Sequence, residues 1–146
     1  MAQDIGRAAL IALASASAAL AAACAAMAPS SPMHANLAGT RWTAQTIDGH
    51  PIAVGRAPSL NFDTQRRVNG NGGCNSFGGS YSASDGDLHL SQLVHTEMAC
   101  TDANLMQQES AFLGALDAAS HYVVETSGQL VISGPNQRQI TFVRVG

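Results

Sequence analysis

The sequence predicts a mainly β fold: an all-antiparallel sheet or barrel of seven or eight strands, interrupted by one helix. Two observations predict it. From Leu37 onward the apolar residues fall in short runs separated by turn residues at intervals of roughly ten positions. Between Asp102 and Ala119 that rhythm breaks, and Leu105, Met106, Glu109, Phe112, Leu113 and Leu116 recur at the spacing of a single helical face.

Leu37 to Ile47 reads as the first strand. It carries the sole tryptophan, Trp42, and stops at Asp48-Gly49, a dipeptide suited to tight hairpin turns because both residues tolerate positive φ. Ser59 to Phe62 alternates and halts at Asp63-Thr64-Gln65, after which Arg67 to Asn69 returns as its hairpin partner. Gly70 to Asn75 is too rich in glycine for a regular strand, since glycines in a strand pattern mark bulges, bends or close backbone approach. Phe77 to Tyr81 resumes the sheet, and Asp85-Gly86-Asp87 turns the chain into Leu88 to Leu93, with Val94 to Ala99 continuing extended. Thr101-Asp102 offers a helix N-cap. The helix, Asp102 to Ala119, is expected to pack its apolar stripe on the sheet. Tyr122 to Glu125, Gln129 to Ile132 and Gln139 to Val143 supply the last strands, with turns at Ser127-Gly128 and Gly134-Pro135-Asn136.

Ahead of this domain lies a leader. A lone Arg7 precedes the apolar run Ala8 to Leu13, which passes through Ala and Ser to Leu20, the layout of a secretory signal peptide over residues 1–24. A membrane-spanning helix is the competing reading, because Ala8 to Ala28 is uncharged, but Leu10, Ile11, Leu13 and Leu20 are its only large aliphatics and its insertion energy is marginal. Leu20-Ala21-Ala22-Ala23-Cys24 resembles a bacterial lipobox, with Cys24 as the residue to be lipidated and the anchor placed in a bacterial membrane. The usual pattern has its large aliphatic three residues before the cysteine, whereas Leu20 stands four before it. Cleavage by an ordinary signal peptidase at a small-x-small site near Ala23 is the alternative. Residues 25–36, with Pro29, Ser30, Ser31 and Pro32, read as a flexible tether to the domain at 37–145.

The 146-residue chain has a formal net charge of −3, and all seven of its basic residues are arginine. Loss of the leader removes Arg7 and Asp4 together and leaves the charge unchanged. The remaining arginines are scattered, with no stripe to follow a phosphate backbone, so nucleic-acid binding is not expected. His34, His50 and His121 fall near turns, the tether or the helix end and are read as solvated. His89 alternates with Leu88 and Leu90 and is read as an outward strand residue.

Two cysteines remain in the folded part, Cys74 and Cys100, 26 positions apart. In an oxidising compartment two thiols in one small domain form a structural disulfide. Two functional alternatives stay open: a reactive Cys74 thiol assisted by His89 or His95, and a zinc site drawn from Cys74, Cys100, His89 and His95, although the short Cys-x-x-Cys spacing of structural zinc is missing. The glycine-rich stretch before Cys74 lacks the Lys-Ser/Thr ending of a phosphate-binding loop. Glu109 lies on the apolar stripe, which suggests a buried or capping role, with Arg41 as a candidate partner.

Taken in order, Leu37-Ala38-Gly39-Thr40-Arg41-Trp42, then Gly73-Cys74-Asn75-Ser76-Phe77-Gly78-Gly79-Ser80-Tyr81, then Thr96-Glu97-Met98-Ala99-Cys100, and finally Glu109, make the chain resemble the META domain family, which includes heat-inducible lipoproteins of the bacterial envelope. The resemblance runs from Asn36 to Val145. It implies a small, strongly curved antiparallel sheet or partly open barrel with one helix laid against it. Its motif residues here are Trp42, Gly73, Cys74, Asn75, Phe77, Gly79, Tyr81, Thr96, Met98, Cys100 and Glu109. It implies no established enzymatic activity, and no cofactor or metal is expected.

The function expected is that of an exported envelope protein, periplasmic or outer-membrane anchored, which binds a protein, a peptide or a small apolar ligand and serves stress tolerance. A protease-inhibitor-like module presenting the turns near Pro51 to Pro58 or Gly134-Pro135 is an alternative, and a Cys- or metal-dependent enzyme is another.

Overall fold

The computed structural model describes residues 34–53 and 55–146. The leader with Cys24, and the tether as far as residue 33, lie outside the described residues. No helix among the described residues is long and apolar enough to cross a membrane.

Among the described residues, nine strands and one helix follow in the order β1 (Thr40–Ile47), β2 (His50–Pro51), β3 (Ser59–Phe62), β4 (Arg67–Asn71), β5 (Ser76–Ser84), β6 (Asp87–His95), α1 (Ala103–Asp117), β7 (His121–Val124), β8 (Leu130–Ser133) and β9 (Gln139–Arg144). From β3 to β9 each strand pairs antiparallel with the next, β1 pairs with β3, and β9 returns to β1. The result is an eight-stranded antiparallel barrel with β2 as a short extension. One seam is slight: β6 and β7 share only the Asp87–His121 pairing.

Alternation fills the interior. On β1, Thr40, Trp42 and Ala44 point inward. A bulge between Ala44 and Thr46 then shifts the phase, so that Ile47, an odd number of residues further on, is also buried. Leu60, Phe62, Val68, Phe77, Leu88, Leu130, Ile132, Ile140 and Phe142 complete the barrel interior, and α1 contributes Phe112, Ala115 and Leu116. Phe112 sits edge-to-face between Phe77 at 5.8 Å and Phe142 at 6.3 Å, which fixes the helix to the barrel lining.

Local chemistry accounts for the turns and caps. Asp48-Gly49 and Asp85-Gly86 both take positive φ at both residues, as tight hairpin turns require. Asp102 caps α1 by accepting from the backbone N–H of Asn104 at 2.8 Å and Leu105 at 3.3 Å.

The structure departs from the sequence reading at several elements. The first strand begins at Thr40, and Leu37 instead fills the core from the turn before it. His50-Pro51 forms a strand of its own because the Asp48-Gly49 turn reverses the chain onto Thr46 and Ile47. Gly70 and Asn71 belong to β4 despite the glycine: a Cβ on Gly70 would lie 2.8 Å from the Phe77 ring, so the ring lies against a strand position that only glycine leaves open. The ladder of β6 ends at His95, short of Ala99. On α1, Met106 points to solvent although it matches the apolar spacing, and Ala115 takes a core position.

Candidate functional site

Glu109 and Asn75 organise the Gly73–Tyr81 and Thr96–Cys100 motifs into one buried network. Both residues are almost fully buried, at 4% and 5% exposure, and α1 brings the carboxylate onto the loop between β4 and β5. Glu109 Oε1 accepts from the backbone N–H of Asn75 at 2.5 Å and of Cys74 at 3.1 Å, while Oε2 accepts from Asn75 Nδ2 at 2.7 Å. Asn75 uses its whole amide. Its Oδ1 accepts from Thr96 Oγ1 at 2.8 Å and from the Met98 N–H at 2.7 Å, and its Nδ2 also donates to the Met98 carbonyl at 3.2 Å. Thr96 closes the circuit by accepting from the Ser76 N–H at 3.2 Å.

A buried carboxylate is tolerable when donors surround it. Here three N–H groups from two residues do so, and the same bonds tie α1, the β4–β5 loop and the segment after β6 together. The Cys74–Cys100 disulfide joins that loop to the segment leading into α1, with Cα atoms 6.2 Å apart. Each of these motif side chains is therefore engaged by another. Gly72 and Leu105, which the sequence marks only as part of the glycine-rich stretch and the helical stripe, belong to this arrangement: a Cβ on Gly72 would lie 2.7 Å from Glu109 Oε1, and one on Gly73 would lie 2.9 Å from Leu105 Cδ1. The glycine run before Cys74 was the available signal for Gly72.

Arg41 is not the partner of Glu109. Strand alternation sends Arg41 to the exposed face of β1 while Trp42 goes inward, and the carboxylate is satisfied by the loop. His89 and His95 are exposed on β6. Among the described residues, the one cluster of Cys, His, Asp or Glu tight enough to consider as a metal site is Cys74, Cys100 and Glu109, which includes neither histidine. Its two sulfurs are bonded to each other and its carboxylate faces three N–H donors, so the donor set does not suit a cation.

The other motif residues serve the barrel. Trp42 is buried and donates its indole N–H to Thr40 Oγ1 at 2.7 Å. Tyr81 stacks edge-to-face on Phe62 at 4.8 Å and donates its hydroxyl to the Asp63 carbonyl at 2.9 Å. Gly79 faces a bulge in β6 where Gln92 takes φ of 54°, and a Cβ on Gly79 would stand 2.7 Å from the Ser91 carbonyl oxygen. Met98 contributes its backbone to the Asn75 network, while its side chain is 58% exposed.

At the other end of β5 and β6 the described chain enters the fold. Leu37 is buried, Tyr122 donates its hydroxyl to the Ala35 carbonyl at 3.1 Å, and the His34 ring lies over Gly86. A cavity of about 570 Å³ opens there, bordered by Arg66, Tyr81, Asp87, His89 and Tyr122. Burial, and then the nearby Asp85, push the Tyr122 hydroxyl above its ordinary range. Burial followed by Asp63 does the same for Tyr81, against a lowering influence of Arg66.

Comparison with known families matches residues 35–146 to the META domain. The NMR structure of a protein from Burkholderia xenovorans is 30% identical, with 75% of this chain and 83% of that one covered and a TM-score of 0.60. A second NMR structure is 23% identical over 73% of this chain and 90% of that one, at a TM-score of 0.58. The crystal structure of a DUF4847 family protein from Bacteroides vulgatus is 15% identical over 73% and 93%, at a TM-score of 0.50. The latter two show a shared fold. No curated protein matches.

Proposed function

The chain belongs to the META domain family, and on that premise we propose that it is an exported bacterial envelope protein that acts by binding, without catalysing a reaction. The observation that carries this reading is the saturation of the motif cluster. A nucleophile or general base must present a free atom to its substrate. Asn75 spends both donors and its carbonyl oxygen inside the fold, Glu109 is enclosed by N–H groups, and Cys74 is held in a disulfide. The signature then serves to hold a barrel in shape, and function falls to the surface that the barrel presents.

The same disulfide supports export, because such bonds persist in oxidising compartments and rarely in the cytosol. The leader ending at Cys24 supplies the address, with acylation at Cys24 as the favoured anchor on the periplasmic face of the outer membrane. Intact mass of the protein purified from an envelope fraction tests the reading. A chain starting at Cys24, heavier by its acyl groups and lighter by the two hydrogens of a Cys74–Cys100 bond, is expected. A chain that retains Met1 and carries reduced cysteines overturns it.

A further inference from the structure

The barrel leaves part of one strand without a neighbour. β6 pairs with β5 from Asp87 to His95, yet with β7 only at Asp87. The side of β6 turned away from β5 can be followed residue by residue. Tyr81 gives its N–H to Arg66 on the β4 side, so its cross-strand partner Leu90 has its backbone groups directed away from β5. Leu88, two residues earlier on the same side, donates to the Ser120 carbonyl. Beyond it, among the described residues, the backbone of Leu90 has no partner. After the bulge at Gln92, His95 is again directed away from β5, because its partner Phe77 belongs to the ladder with β4. Among the described residues, a row of unpaired backbone groups therefore runs along the outer half of β6.

That row leads into a groove. Between the segment from His95 to Ala99 and the face of α1 carrying Met106 and Leu113 lies a cavity of about 320 Å³. Two of the four large apolar side chains that the described domain exposes line it, Met98 at 58% and Met106 at 38%. Isolated exposed apolar residues need no explanation, but a cluster beside an unpaired strand edge does. The edge also states what fits it, because only an extended backbone matches a row of alternating donors and acceptors.

We propose that this groove is a binding site for an extended peptide segment of a partner protein, which adds as a strand to β6 and packs its apolar side chains against Met98 and Met106. The inference rests on the reading of the protein as a binding module and names its site and partner chemistry. α1 walls the groove, so it admits a single strand more readily than the edge of a second barrel carrying its own helix. The lining holds Glu97 and no arginine. The segment recognised is thus apolar at alternate positions and free of acidic residues. Methionines suit such a surface because their flexible, polarizable side chains adapt to different sequences.

The test uses the purified protein, from whichever cell fraction holds it, and a synthetic octapeptide, Lys-Val-Thr-Val-Thr-Val-Thr-Lys, acetylated and amidated at its ends. Peptide at saturation is expected to slow amide hydrogen exchange at Leu90 and His95. Methylating alternate peptide nitrogens on the pairing edge should weaken binding about tenfold or more, because it removes main-chain hydrogen bonds while keeping the side chains. Met106→Glu, at an exposed position on α1, should weaken it comparably while leaving the urea midpoint unchanged. Absence of binding at about 1 mM peptide overturns the site, as does equal affinity for the methylated peptide. Protection of these amides that depends on protein concentration with no peptide present assigns the edge to a second copy and also overturns it. None of these outcomes depends on the mass measurement, so the site and the export reading fail separately.

Discussion

The two ends of the β5–β6 ribbon are held by opposite means. At the end near Ser76 and His95, a buried carboxylate, a fully used amide and a disulfide lock three segments together. At the end near Ser84 and Asp87, single tyrosine hydroxyls reach backbone carbonyls beside an open cavity, and the His121–Asp87 pair is largely exposed. The difference teaches where substitutions are costly. A polar group buried in a network strands its partners when removed, whereas one at a wet rim passes its partner to water.

Glu109→Ala is the sharpest way to break the contrast. It leaves two backbone N–H groups without an acceptor and the Asn75 amide with only the Met98 carbonyl, in a buried site, and a loss of about 3 to 5 kcal/mol in urea unfolding is expected. Next come Cys74→Ser and Cys100→Ser, each expected to cost about 3 to 4 kcal/mol in the chain-entropy model. The double variant should be no worse than either single one, because one bond is lost in all three. A double variant that loses the sum of the two would show that the sulfurs contribute separately.

At the entry end, Tyr81→Phe and Tyr122→Phe should each cost only about 0.5 to 1.5 kcal/mol. These tyrosines also set an alkaline limit. Their pKa values are raised in the folded state from an ordinary value of 10.0, first by burial and then by a nearby carboxylate. The folded protein therefore keeps these protons longer than the unfolded chain. The associated stability is fully present below about pH 10 and declines as pH rises through the folded values. Urea midpoints measured at about pH 9 and about pH 11 should fall less in the double Phe variant than in the parent. A parent and variant that fall in parallel would remove the tyrosines from the account. Smallest of all, His121→Ala should change stability by no more than about 0.5 kcal/mol, since both partners of that pair are mostly solvated.

Much of this architecture is legible along the chain. The strand runs, the Asp-Gly turns and the Asp102 cap are local effects, decided by residues a few positions apart, and the turns and the cap lie where the pattern places them while several strand ends do not. Glu109 was legible as an anomaly, a charge on an apolar stripe, but its partner was not. Arg41 is the obvious choice by charge, whereas the donors are the Asn75 amide and two backbone N–H groups, and backbone groups have no sequence signature. Met106 and Ala115 show the same limit, because helical spacing marks a face without saying how far the barrel beneath it extends.

By itself the sequence determined the mainly antiparallel fold, the helix within it and the family, because periodicity, turn chemistry and motif order are carried by neighbours along the chain. Tertiary structure alone decided that the ring closes through β1 and β9, that Glu109 belongs to the Asn75 loop, and that β6 keeps an edge unpaired among the described residues. Each of those depends on which distant segments meet and in what register, and main-chain hydrogen bonds, being available at nearly every residue, leave no mark on composition or spacing.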